Sequence, residues 1–181
     1  MAIAGLGSWA GMAAVAKLSF PDLLRTNQSM VYSIAVHYLR DRAVAEEIAQ
    51  DVFLELHRHL LEIESEAHAV FWLRRVASRK CIDAIRRQKL RSTLTLEQVP
   101  EPASRERPAD PLLNRTLRQL IDALPEKARM VVLLRYQEEM MPEEIAEVLE
   151  MPVRAVKGHL HRSLTVLREK FGRLKGGEHH G

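Results

Sequence analysis

An all-α fold of two small helical domains joined by a flexible, proline-rich linker is predicted by three observations. Apolar residues recur at spacings of three and four in block after block, no stretch sustains the every-second-residue alternation of a half-buried strand, and one proline-rich interruption divides the helical blocks into two groups. The 181 residues suffice for two small domains, and a composition of 46% hydrophobic and 28% charged residues argues against disorder throughout. The formal net charge of +3 decides little by itself, so the location of the charges carries the argument.

Residues 1–17 read as a flexible N-terminal extension. Met1 to Ala16 carry no charge and are rich in Ala and Gly, which resembles a signal sequence only superficially. No basic segment precedes the apolar part, Gly and Ser interrupt it, and it is too short to span a hydrocarbon core of about 30 Å.

The first helical domain is expected over residues 18–90. Leu24, Val31, Ile34, Ala35 and Tyr38 form one apolar stripe, Val44, Ile48, Val52, Leu56 and Leu60 a second, and Leu73, Val76, Ala77, Ile82 and Ile85 a third. The polar side of the second block is acidic, with Glu46, Glu47, Gln50, Asp51 and Glu55. DNA would repel such a face, whereas a protein surface carrying arginines would accept it; a merely solvated helix face is the plain alternative. The third block is the opposite. From Trp72 to Arg91 it carries Arg74, Arg75, Arg79, Lys80, Arg86, Arg87, Lys89 and Arg91 against the single acid Asp83. Arg75, Arg79 and Arg86, at i, i+4 and i+11, share one side of a helix. A basic face is often only solvated, but this density of charge, headed by Phe71-Trp72, points to nucleic acid. Trp72 itself, beside Leu73 and Val76, reads as a core anchor rather than a stacking ring. Cys81 is the only cysteine. It excludes a disulfide within the chain, fits a reducing compartment and reads as a small buried hydrophobe.

The periodicity stops between Gln88 and Pro111, and Pro100, Pro102, Pro108 and Pro111 prevent a helix from continuing, which makes residues 91–111 the linker. The second domain, residues 112–173, holds the most specific local signal. Pro142 stands at a plausible first helical position with Glu143 and Glu144 beside the positive end of the helix dipole, and Ile145, Ala146 and Leu149 face inward. A break at Glu150-Met151-Pro152 leads into a longer amphipathic helix whose stripe is Val153, Val156, Leu160, Leu164, Leu167 and Phe171. Its other face bears Arg154, Lys157, His161, Arg162 and Arg168. A short positioning helix, a tight turn and a basic second helix are the parts of a helix-turn-helix, which sets its second helix in the major groove. Residues 174–181 read as a flexible tail, and its His179-His180 pair lacks the further fixed ligands that a metal site needs.

Taken together, these segments resemble the extracytoplasmic-function group of sigma-70-type transcription initiation factors, over almost everything from Phe20 to Lys170. Val44-Ala45-Glu46-Glu47-Ile48-Ala49-Gln50-Asp51-Val52-Phe53 looks like the family's docking helix for the polymerase β′ clamp helices. Trp72 to Ala77 and Asp83 to Arg87 look like the element that meets and opens minus-10 promoter DNA. Leu124 to Arg129, Leu133 to Tyr136, Glu143 to Ala146 and Val156 to Arg162 are similar to the domain that reads the minus-35 element. The resemblance implies a non-enzymatic cytoplasmic factor with no cofactor, metal or small-molecule substrate. Its partners would be core RNA polymerase, through the β′ clamp helices and β flap, promoter DNA and an anti-sigma factor. It places minus-35 contacts on Arg154, Lys157, His159 and Arg162, and minus-10 contacts on Arg75, Arg79, Lys80, Arg86 and Arg87. Polymerase contacts fall on Glu47, Gln50, Asp51 and Leu54. The linker would thread toward the active-site cleft and RNA exit path.

The chain departs from the family pattern in several places. Met141 and Glu150 stand where Ser before the positioning helix and Gly in the turn are frequent; Gly158-His159 and Ser163-Leu164 replace Ser-Arg and Ala-Arg; Arg79 replaces Asn; and the stretch from Glu62 to Ala69 is unusually acidic. The alternative reading is a stand-alone helix-turn-helix regulator with an N-terminal dimerisation or sensing domain, which predicts tight duplex binding without polymerase. A hydrolase is disfavoured by the lack of an H-E-x-x-H pair, a Gly-rich phosphate loop or a serine-nucleophile elbow.

Overall fold

The computed structural model describes residues 18–94 and 111–176, and every regular element among them is helical, as the periodicity predicts. The expected N-terminal extension, most of the linker and most of the tail lie outside the described residues.

Helix α1 (Phe20–Leu39) starts with Pro21 in its first turn and stops where Arg40 turns left-handed, at φ 62°, donating its N–H to the Val36 carbonyl at 3.0 Å. Asp41 then caps α2 (Arg42–Arg58), its Oδ1 accepting the Val44 N–H at 3.1 Å. A 3₁₀ turn (Leu60–Glu62) leads to Ser65, whose Oγ accepts the His68 N–H at 3.1 Å and starts the long α3 (Glu66–Leu94). The remaining helices are α4 (Pro111–Asp122), α5 (Glu126–Tyr136), α6 (Pro142–Val148) and α7 (Val153–Gly176).

The three N-terminal stripes meet: Val31, Ile34, Val52, Leu56 and Leu73 are fully buried where α1, α2 and α3 pack together. Cys81 belongs to the same interior, and burial pushes its thiol up to about 12, so it stays protonated. Trp72 is half-buried against this core with its ring 6.0 Å from that of His59. Helix α3 runs past the boundary at residue 90 that the fading periodicity marks, reaching Leu94. Residues 86–91 are exposed, so no apolar stripe is needed there; Arg, Gln, Lys and Leu are all good helix formers and carry the helix on by local preference.

The two helical groups do not sit apart. Helix α5 lies against α1 and α3, α6 lies against α3, and Met130, Val131, Leu134 and Ile145 join one apolar cluster with the N-terminal core. At the junction the buried Tyr38 donates its hydroxyl to the Glu126 carbonyl at 3.1 Å, and the Arg129 guanidinium lies 4.6 Å from the Tyr38 ring centroid. Burial lowers the Arg129 pKa, while Asp122, 3.5 Å away, favours its charged form. A second, smaller cluster of Leu124, Ala128 and Val132 belongs to the C-terminal unit.

Candidate nucleic-acid interface

The turn between α6 and α7 sets the angle of the basic helix. Glu150 donates its N–H to the Glu147 carbonyl at 3.4 Å, and Met151 donates to the Ala146 carbonyl at 2.9 Å, the pair of bonds that closes a Schellman motif. The residue between must be left-handed, and Glu150 adopts φ 51°. Glycine would hold that conformation without the cost of about 1 kcal/mol that a Cβ adds there. The missing Ser at the start of α6 is partly made good: the Met141 N–H donates to Glu144 Oε2 at 2.6 Å, half of a capping box, and Pro142 fixes the first turn.

On α7 the stripe from Val153 to Phe171 turns inward, with Val156 fully buried and Ser163 beside it. Arg154, Lys157 and Arg162 are exposed. Lys157 reaches back to Glu143 on α6 at 2.9 Å, and that contact lowers the Glu143 pKa. Gly158 has a steric role, since a Cβ there would come within 3.1 Å of Arg162 Nη1; the guanidinium folds over the bare backbone. Replacing Gly158 with Ala is expected to raise helix stability by about 1 kcal/mol while pushing the Arg162 guanidinium aside. Thermal melting together with DNA affinity checks both halves.

His159 lies about 60° round the axis from Arg162 and on the far side of it from Arg154 and Lys157. At about 100° per residue it lies roughly 140° round the axis from Arg154, and it is half-buried. Burial first, then Arg162 and Lys127, lower its pKa below the usual imidazole value, so the ring is neutral at pH 7. His161, by contrast, is exposed on the side of Arg154 and Arg162.

The basic side of α3 is divided. Arg79 pairs with Glu55 of α2 at 3.0 Å, and Lys80 with Glu55 at 3.1 Å and Asp51 at 3.6 Å, so part of the acidic face of α2 neutralises α3 from within the same unit. Arg86 and Arg87 are exposed, Arg86 with Asp83 at 3.7 Å. Arg75 is bonded to Glu150 in the helix-turn-helix turn. Arg75, Arg79 and Arg86 do run along one flank, as their spacing requires.

On α2, Glu47, Gln50, Asp51 and Leu54 are all exposed, Leu54 to 57%. Gln50 and Leu54 form one wall of a groove of about 700 Å³ between α1 and α2, together with Phe20, Leu24, Tyr32 and Phe53. Phe20 and Tyr32 were not picked out by the stripe; what marks them is an aromatic ring on the solvent side of α1 next to it.

This geometry is shared with known proteins. The sigma-70 region 2 family matches residues 23–91, and the sigma-70 region 4 family matches residues 114–167. The RNA polymerase sigma-E factor of Streptomyces coelicolor is 33% identical over 157 residues, 85% of this chain and 86% of that one. The ECF RNA polymerase sigma factor SigW of Bacillus subtilis is 29% identical over 166 residues, 84% of this chain and 89% of its own. This chain belongs to the extracytoplasmic-function sigma factors of the sigma-70 family. The fold of the sigma factor agrees with the solved structure of RpoE in complex with the anti-sigma factor NepR from Bartonella quintana. The TM-score there is 0.70, at 14% identity, over 83% of this chain and 94% of that one. Within the sigma factor, α1 to α3 form region 2, and α4 to α7 form region 4. Among its described residues no helix is long and apolar enough to cross a membrane, and no three His, Cys, Asp or Glu side chains cluster to hold a metal ion.

Proposed function

We propose that this sigma factor acts by binding alone: it docks on core RNA polymerase, presents α3 to minus-10 DNA and α7 to the minus-35 element, and leaves all chemistry to the polymerase. The observation that carries the reading is the exposed cationic face of α7, with Arg154, Lys157 and Arg162 on a helix whose entry angle is fixed by the Schellman turn. Cations so placed supply phosphate affinity, and a bidentate arginine supplies base discrimination. The groove of α1 and α2, lined by Glu46, Gln50 and Leu54, together with the exposed Glu47 and Asp51 on the same helix, suits a basic-apolar helical surface, and we assign it to the β′ clamp helices. Region 4 would take the β flap. Arg75, Arg79, Lys80, Arg86 and Arg87 serve the minus-10 element, where differential affinity for opened DNA drives melting. His159, one turn before Arg162 and half-buried, completes the minus-35 set as a neutral ring at the edge of that face, and the exposed His161 lies on the same helix face as Arg154. The site of action is the cytoplasm, and an anti-sigma factor is the expected regulator.

A gel shift separates this from a stand-alone regulator. The sigma factor alone should bind promoter duplex weakly and with strong salt sensitivity, and adding core polymerase should give a specific, stable complex. Tight specific duplex binding without polymerase would favour the regulator instead.

A further inference from the structure

Among the described residues, four ion pairs are seen to join region 2 to region 4, and these four have the same polarity. Region 2 supplies the cation and region 4 the acid: Arg74 with Glu138 at 3.8 Å, Arg75 with Glu150, Lys89 with Glu126 at 2.6 Å, and Arg40 with Asp122 at 3.5 Å. Three of these cations lie on α3, the helix whose basic side is assigned to promoter DNA. Of these three, Arg75 belongs to the set assigned to minus-10 DNA and Lys89 lies along the same flank of α3, while Arg74 faces about 100° away, so region 4 sets carboxylates on and beside that flank.

Glu150 sharpens the point. It occupies the left-handed position of the Schellman turn, which Gly fills without strain, and its carboxylate is what reaches Arg75. Glu138 is nearly enclosed, its side chain 9% exposed, beside Arg74. The other carboxylates are partly exposed, so each contributes a weak, salt-screened attraction of the kind that a competing polyanion displaces.

We propose that in the free chain Glu126, Glu138 and Glu150 clasp region 4 over α3 in place of nucleic-acid phosphate, so that promoter DNA and region 4 compete for Arg75 and Lys89. The competition rests on the promoter-binding reading above; the closure does not.

Distance measurement between spin labels tests the closure on the full chain. Labels go on cysteines introduced at the exposed positions Thr26 and Glu169, while Cys81, fully buried, stays unlabelled. At low salt the wild-type chain should give mainly one short distance, and the share of longer ones should rise with salt as the ion pairs are screened, the apolar contact of Met130, Val131, Leu134 and Ile145 keeping part of it closed. The triple amide variant E126Q/E138Q/E150Q should shift the open-to-closed ratio by about tenfold already at low salt. Identical distributions in variant and wild type from low to high salt, short or long, would overturn the proposal, and the wild-type titration needs no variant to fold. A short fluorescent single-stranded DNA then tests the competition. It should bind the triple variant about tenfold more tightly than a charge-matched control in which the exposed Glu46, Glu64 and Glu147, outside the clasp, become Gln. Equal affinity for the two overturns the competition. If the sigma reading itself were wrong, the labels would still report opening while the chain redirected no transcripts with core polymerase.

Discussion

Transcription from a minus-35-dependent promoter is expected to fall roughly thirtyfold to a thousandfold when Lys157 and Arg162 are both replaced by Ala, about 1–2 kcal/mol for each lost contact. The two side chains are exposed on α7, with Arg162 folded over Gly158, so the fold has little to lose. Lys157 gives up only its surface pair with Glu143, which is nearly neutral for stability. A promoter that does not depend on its minus-35 element serves as the control and should be spared. Full activity of the double variant on the dependent promoter would remove α7 from the reading of DNA.

Loss of polymerase binding is the second large effect. Leu54 is 57% exposed on the groove wall, so Leu54→Asp costs the isolated chain little, but a carboxylate in a desolvated apolar contact is costly. The expected loss is about 2–4 kcal/mol, or thirtyfold to a thousandfold in affinity for core enzyme. Asp51→Arg acts through charge and should weaken docking in the same direction. It also sets a cation near Lys80, though Glu55 remains 3.1 Å from that amine, so the helix pair holds. Undiminished co-purification of Leu54→Asp with core polymerase, with its circular dichroism unchanged, would place the docking surface elsewhere.

The all-helical fold was legible because each helix repeats its own apolar spacing: Val31, Ile34 and Tyr38 on α1, or Val156 and Leu160 on α7, declare one face without reference to anything distant. The position of the turn was legible too, from the break at Glu150-Met151-Pro152, and the structure gives Glu150 the positive φ that a Schellman turn imposes whatever residue fills it. The closure of region 4 on region 2 was not. It depends on Tyr38 meeting a main-chain carbonyl 88 residues away, and on Arg129, 8% exposed within the run from Ala128 to Leu134. An arginine inside seven buried positions is the one local sign of it, since a buried guanidinium needs partners from elsewhere.

The candidate site shows the same division. Charge density singled out α3, but the pairing of Arg79 and Lys80 with Glu55, and of Arg75 with Glu150, needs the packing of three helices. His159 reads like a contact residue when α7 is scanned by motif, and it stands one turn from Arg162, but its half-burial and neutral ring come from packing that the motif does not show.

The central claim, that this chain directs RNA polymerase to its start sites, is tested most directly by mapping transcript starts in a purified system of core polymerase and genomic DNA. The account predicts discrete starts that appear only when the chain is added and share minus-10 and minus-35 sequences at fixed spacing. Start sites identical with and without the chain would contradict it.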